Sequence, residues 1–298
     1  MKFGKVNDPG IIDFTLPEDN PDTARVLSQY RSAKPLEVYI GCAQWNRNYL
    51  KGFYPPGIKD ELTYYASRLN AIELNATYYK VPDIRQIETW RAKTPAHFRF
   101  FPKIPEQISH RQRLTGVQDL VNSFCDIISH FEEQLGMVFL QLNENFSPQE
   151  WVPLRTTLEA FPAQIPLAVE VRNEKWFADP QIADHYYTLL ERLGMTNILV
   201  DTAGRRDLLH MRLTAPVAFV RFVSTNHPSD FERLNDWVNR IRQWKAQGLQ
   251  QLFLFIHQDL EADLPFLVTY FTEQINTAMH LQLPVPGKPV VRQPTLFD

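Results

Sequence analysis

Residues 167–172 read LAVEVR, and the alternation within those six letters decides how the chain is built. In an extended segment, side chains project alternately to opposite faces, so Val169 and Val171 share one face while Glu170 and Arg172 share the other. The construction recurs. AIELNA at 71–76 sets Glu73 and Asn75 against Ile72 and Leu74, and MVFLQL at 137–142 leads into Gln141 and Asn143 in the same way. Apolar strands that turn polar only at their C-terminal ends match a barrel whose chemistry sits at that end.

From residue 36 onward, short runs rich in Val, Ile, Leu and Phe alternate with longer amphipathic stretches. In order they are EVYIGC (37–42), AIELNA (71–76), FRFFPK (98–103), MVFLQL (137–142), LAVEVR (167–172), NILVDT (197–202), AFVRFV (218–223) and LFLFIH (252–257). Helix signals lie between them. Ser147 followed by Pro148 opens one helix, Asp179 opens another that closes on Gly194, and a third closes on Gly248. Eight strands, each followed by a helix, predict a (β/α)8 TIM barrel, a closed parallel sheet of eight strands. A doubly wound open sheet is the alternative, and the absence of a GxGxxG turn speaks against it. On this reading residues 1–34 form an N-terminal extension, 35–280 the barrel and 281–298 a Pro-rich C-terminal tail.

Composition narrows the setting. The 31 Lys and Arg nearly balance the 34 Asp and Glu, and a net charge of -3 offers no global attraction to nucleic acid or anionic lipid. Two cysteines, Cys42 and Cys125, are too few for a disulfide framework. No apolar run approaches the roughly 18 residues of a membrane span, and the first residues lack a signal-peptide core. A cytoplasmic protein with no membrane partner is expected.

The barrel mouth is expected to gather Glu73 and Asn75 from strand 2, Lys103 from strand 3, and Gln141 and Asn143 from strand 4. Strand 5 adds Glu170 and Arg172, and the last three strands add Asp201, Arg221 and His257. A buried salt-bridge network would use the same residues, since buried charges must be paired. Desolvating three acids and three cations is a poor route to stability, so a ligand site is the favoured reading. Trp45, Tyr78 and Trp176 in the following loops suit a sugar or a nucleobase, whereas Tyr79 reads better as rim packing. The loop Asp201-Thr-Ala-Gly-Arg-Arg-Asp207 offers Gly204 and Arg205 as a weak anion site.

No HxH, HExxH or GxSxG spacing occurs, and no cofactor is expected. A divalent metal held by Glu73, Glu170, Asp201 and His257 is conceivable, but Lys103 and Arg172 would compete with it. Cys42 reads as a small buried thiol rather than a nucleophile.

The ordered series IGCAQWNRNYLKGFYPPG, IELNATYY, FRFFPKIPEQISH, VFLQLNENF, LAVEVRNEKWF, VDTAG and FVRF resembles the motifs of the YecE-like family, TIM-barrel proteins with no established reaction. The likeness spans roughly residues 36–270 and implies shared polar positions at Trp45, Glu73, Asn75, Tyr78, Lys103, His110, Gln141, Glu170, Arg172, Trp176, Asp201 and Arg221. Two loops depart from the family pattern. Cys42-Ala43-Gln44-Trp45 stands where Thr-Ser-Gly-Trp is usual, and His257-Gln258 where Asn-Asn is frequent.

Three functions are expected in turn. The first is an enzyme, a hydrolase or isomerase, acting on a phosphorylated or nucleic-acid-derived ligand. In it Lys103, Arg172 and Arg221 hold the anion, Glu73 or Glu170 moves the proton, and Asp201 joins them. The second is a glycoside hydrolase using Glu73 and Glu170, with Trp45 and Trp176 as sugar platforms. The third is a non-catalytic ligand-binding or adaptor protein recruited through its tail. RQPTLFD, residues 292–298, carries Gln293, Leu296 and Phe297 in a pattern that resembles the peptide by which bacterial polymerases and repair proteins dock on the DNA sliding clamp.

Overall fold

The computed structural model describes residues 4–31, 34–258 and 264–287. Eight parallel strands form where β-branched and aromatic residues cluster: β1 (Glu37–Cys42), β2 (Ala71–Leu74), β3 (Arg99–Pro102), β4 (Val138–Gln141), β5 (Leu167–Glu170), β6 (Thr196–Asp201), β7 (Val217–Val223) and β8 (Gln251–His257). Around them run α1 (Pro21–Ser28), α2 (Glu61–Ala66), α3 (Ala76–Tyr79), α4 (Ile84–Ala92), α5 (Gln118–Ile128), α6 (Trp151–Glu159), α7 (Lys175–Ala178), α8 (Pro180–Leu193), α9 (Ser229–Gln247) and α10 (Leu264–Met279). The helix ends follow the capping signals. The Asp179 side chain accepts from the Gln181 amide at 2.8 Å, and Gly194 closes α8 in the left-handed region at φ 66. Ser147 and Glu150 form a capping box ahead of α6, with one 3₁₀ turn intervening.

The hydrogen-bonded order is β3-β2-β1-β8-β7-β6-β5-β4. The ends of that series meet at a short seam, where bridges pair Phe100 with Leu135 and Lys103 with Phe139. The seam is reinforced by Gly136 N–H to Phe100 O at 2.8 Å and Ile104 N–H to Phe139 O at 2.9 Å, and the barrel is thereby nearly closed. Its interior is a plug of aromatic and small side chains, including Ala71, Phe101, Phe139, Ala168, Phe219 and Phe255. The Phe101 ring lies 4.9 Å from that of Phe255, an edge-on contact typical of packed aromatics. At Gly41 a Cβ would come within 2.3 Å of the Ala71 carbonyl oxygen, so only glycine allows β1 to approach β2 there.

One expectation fails at the level of elements. The link between β6 and β7 holds no crossover helix, only a 3₁₀ turn at Arg206–Leu208. The N-terminal stretch, expected to precede the barrel, fills that position. Helix α1 packs on α9 and buries Thr23, Val26 and Leu27. The Thr23 hydroxyl donates to Met211 O at 2.9 Å and accepts from the Leu213 amide at 3.1 Å, while Arg25 pairs with Glu191 of α8 at 2.8 Å. Ahead of α1, Asp19 accepts from the Trp244 indole at 2.9 Å and pairs with Arg240. This segment therefore supplies part of the barrel's outer layer.

Candidate active site

Glu73, Lys103, Gln141, Glu170, Arg221 and His257 each stand two residues beyond an apolar member of the interior plug: Ala71, Phe101, Phe139, Ala168, Phe219 and Phe255. The two-residue period of a strand therefore sends all six inward, in one polar layer at the C-terminal mouth.

Arg221 is the centre of that layer. Its Nε and Nη2 donate to Glu73 Oε2 and Oε1 at 3.0 and 2.9 Å, and its Nη1 donates to Glu170 Oε2 at 2.7 Å. Arg172 Nε donates to Glu170 Oε1 at 2.5 Å. The Gln141 amide donates to both Glu170 oxygens at 3.1 and 3.2 Å, and its Oε1 accepts from Lys103 Nζ at 2.7 Å. Asn75 donates to Glu73 Oε1 at 2.9 Å, and His257 Nε2 lies 3.0 Å from Glu73 Oε2. An ionised carboxylate only accepts, so His257 carries a proton on Nε2.

Both carboxylates are buried, and burial alone would raise their pKa values. For Glu73 that effect is overcome by the Arg221 guanidinium and by His257, which hold it well below the usual carboxylate range. For Glu170 burial is likewise outweighed by Arg172 and Arg221, and its pKa falls to about 2. Lys103 moves the other way. Burial, reinforced by neighbouring Arg221, brings its pKa down to about 7, with Glu73 and Glu170 only partly offsetting the shift. His110 sits in a π-helical turn at Gln107–Arg111, and burial followed by the charges of Lys103 and Arg172 lowers its pKa to about 4.

Above this layer opens a cavity of about 230 Å³ whose lining includes Lys103, His257, Asn75, Tyr78, Gln44 and Tyr49. The Lys103 ammonium lies 4.4 Å from the Tyr78 ring centroid and makes no ion pair with any described residue. Arg221 and Arg172 are paired with the two carboxylates, and Lys103 is the cationic side chain of this layer that lines the cavity. Lys103 and His257 reach the cavity, while Glu73 and Glu170 are buried and do not line it. Gln44, Tyr49 and Gln258 also line the cavity, although strand patterning did not single them out. They belong to loops, where no periodicity marks an inward side chain.

Several expected members lie elsewhere. Asp201 is one residue out of phase with Ile198 and Val200, which belong to the plug, and so faces the helices. It pairs with Arg206 and with Arg233 at 2.8 Å, and accepts from the Trp237 indole at 2.8 Å. A metal site built from Glu73, Glu170, Asp201 and His257 therefore has no geometric basis, and no group of three or more His, Cys, Asp or Glu suited to a metal occurs among the described residues. Trp176 is fully buried, donates to Phe146 O at 2.8 Å and offers no platform to a sugar. Trp45 bounds a neighbouring hollow of about 330 Å³ with Asn75 and Tyr79, packed edge-on against Trp90. Tyr79, expected to pack on the rim, is 81% exposed. The Gly204 amide is taken by Gly4 O at 2.8 Å and Arg205 donates to Asp207 and to Arg172 O, so that loop is not an open anion site. Cys42 is buried, and burial pushes its thiol up to about 12. Gln293, Leu296 and Phe297 lie outside the described residues.

The family model described as "Protein of unknown function DUF72" matches residues 39–290. The chain belongs to the DUF72 family. It is 28% identical over 282 residues to the UPF0759 protein YecE of Escherichia coli (strain K12), covering 87% of this chain and all of that protein. It is 27% identical over 158 residues to the UPF0759 protein YunF of Bacillus subtilis (strain 168), covering 48% of this chain and 53% of that one. Among solved structures, a DUF72 family protein from Thermotoga maritima superposes with a TM-score of 0.61 at 22% identity, over 82% of this chain and 100% of that one. Another from Enterococcus faecalis gives 0.64 at 15%, over 83% and 99%. These likenesses establish a DUF72 barrel. They bring no reaction with them.

Proposed function

We propose that this DUF72 protein is an enzyme that binds a small anionic substrate, phosphorylated or nucleic-acid-derived, at the barrel mouth and transfers protons through nitrogen bases. One observation carries the reading: Lys103 and His257 line the cavity while Glu73 and Glu170 are neutralised beneath it by Arg221 and Arg172. A carboxylate held ionised by guanidinium groups is a poor proton donor, which favours the nitrogens over the acid–base role first expected of Glu73 and Glu170. Lys103, with a pKa of about 7, exchanges protons near neutrality. His257, aligned by Glu73, supports it as a second acid or base.

The same geometry argues against glycoside hydrolysis. One guanidinium bonds to both carboxylates, where a paired mechanism needs a glycosidic bond between them. The test is turnover of purified protein on a panel of sugar phosphates, nucleotides and short DNA or RNA fragments. Activity is expected to drop by about 100-fold or more in Lys103→Ala and to fall in His257→Ala. Unchanged turnover in both variants removes the proposal.

A further inference from the structure

We propose that Lys103 is a nucleophile that forms an imine with the carbonyl carbon of a small aldehyde or ketone bearing one anionic group, phosphate or carboxylate. This rests on the reading of the mouth cavity as the substrate site, and it assigns that site a substrate class and a covalent step.

Three features of the geometry carry it. First, Nζ reaches the cavity wall without a carboxylate partner among the described residues, so no ion pair with them holds it in the protonated, non-nucleophilic form. Second, the amine is oriented. Gln141 uses its amide hydrogens on Glu170, which leaves its Oε1 to accept one Nζ hydrogen at 2.7 Å. Third, Arg221 and Arg172 belong to the same buried layer, and neighbouring cations favour the neutral, nucleophilic amine. Burial and those cations bring the Lys103 pKa to about 7, so a substantial fraction of the amine is uncharged at neutral pH.

The step balances without an oxidant or reductant. The Nζ lone pair forms the C–N bond as the carbonyl π pair moves to oxygen, which takes up a proton; nitrogen gives one up, and a carbinolamine results. A second proton on that oxygen lets the C–O bond break with loss of water, and the nitrogen lone pair completes the C=N bond. The iminium carries one positive charge, and the Tyr78 ring face lies where that charge develops. His257 lines the same cavity with Nε2 tied to Glu73, and its other ring nitrogen, which bonds to no described side chain, would move these protons. With Arg172 and Arg221 paired to Glu73 and Glu170, the iminium adds one positive charge to the layer, and a substrate with an anionic group matches it. The iminium then withdraws electrons from the adjacent carbon, which is the use to which a proton-transfer site would put it.

The experiment uses the full chain with two probes, glyceraldehyde 3-phosphate and pyruvate, each in the presence of sodium cyanoborohydride, which reduces an iminium to a stable secondary amine. Peptide mass spectrometry then locates the adduct. Labelling of Lys103 is expected to exceed that of exposed lysines such as Lys51 and Lys80 by more than about tenfold, and to rise as pH increases through about 7. Lys103→Met, checked for folding by thermal melting, should lose that adduct while surface labelling stays unchanged. Equal labelling of all lysines with both probes overturns the proposal. Should Lys103→Met abolish turnover on the substrate panel while no adduct forms at Lys103, the covalent step falls and the acid–base site stands. If turnover survives in that variant, the site assignment falls with it.

Discussion

Arg221 shows how one side chain sets the chemistry of its neighbours. Its guanidinium bonds to both buried carboxylates, so an Arg221→Met variant leaves Glu73 and Glu170 without their shared cation. A loss of about 3–5 kcal/mol is expected by denaturant unfolding, because a buried charge stripped of its partner cannot be rehydrated. Lys103 has the opposite linkage. Its folded pKa of about 7 lies below the ordinary lysine value of 10.5, so the unfolded chain binds the extra proton between those limits. Stability from this group is present above pH 10.5 and is lost as pH falls towards 7, by up to about 1.4 kcal/mol per unit. Lys103→Met removes the dependence, so its stability relative to the native protein should rise as pH is lowered from 10 to 7. Melts at a series of pH values measure this, and parallel curves would refute it. The inward phase of Glu73 and Glu170 was legible in the sequence because polar and apolar residues alternate there. That of Asp201 was not, because Ile198, Leu199 and Val200 are apolar on both faces of β6 and the two-residue period disappears.

At the scale of elements, the most informative feature is the helix that comes from elsewhere in the chain. The β6–β7 link cannot cover its own sector of the barrel with a single 3₁₀ turn, and α1 covers it by packing against α9. Leu27 is fully buried there, so Leu27→Ala should cost about 2–5 kcal/mol, as for other core leucines. Gly248 ends α9 at φ 136, and a Cβ on it would lie 2.0 Å from Leu27 O. Gly248→Ala is therefore expected to lower the melting temperature by displacing α1 and by straining the turn. A melt unchanged in both variants would show that α1 contributes nothing to the fold. The capping residues of α8 and the glycine ends of α8 and α9 were readable from short-range rules. The substitution of α1 for a crossover helix was not, since it depends on contacts such as Thr23 with Met211, 188 positions apart.

Across the whole molecule, no described helix is long and apolar enough to cross a membrane, and the net charge of -3 leaves recognition to local clusters. The tail is the one stretch whose reading points to a macromolecular partner. A peptide spanning residues 287–298 is expected to bind a bacterial sliding clamp measurably, with Leu296→Ala or Phe297→Ala weakening it by about tenfold or more, as loss of a buried anchor does. Equal binding by native and substituted peptides in a fluorescence-anisotropy titration would remove that partner.

The sequence by itself determined the strand number and most of the inward-facing polar layer, because alternation along a strand is a local property of the chain and survives without knowledge of neighbours. Tertiary structure decided what those charges do. Whether Glu170 is an acid, an ion-pair partner or a metal ligand depends on Arg221, 51 positions away, reaching it at 2.7 Å. Lys103 is left facing the cavity because the nearby guanidinium groups already neutralise the carboxylates. Desolvation and pairing are properties of that three-dimensional neighbourhood, and they are why the proposed chemistry rests on the nitrogens rather than on the carboxylates.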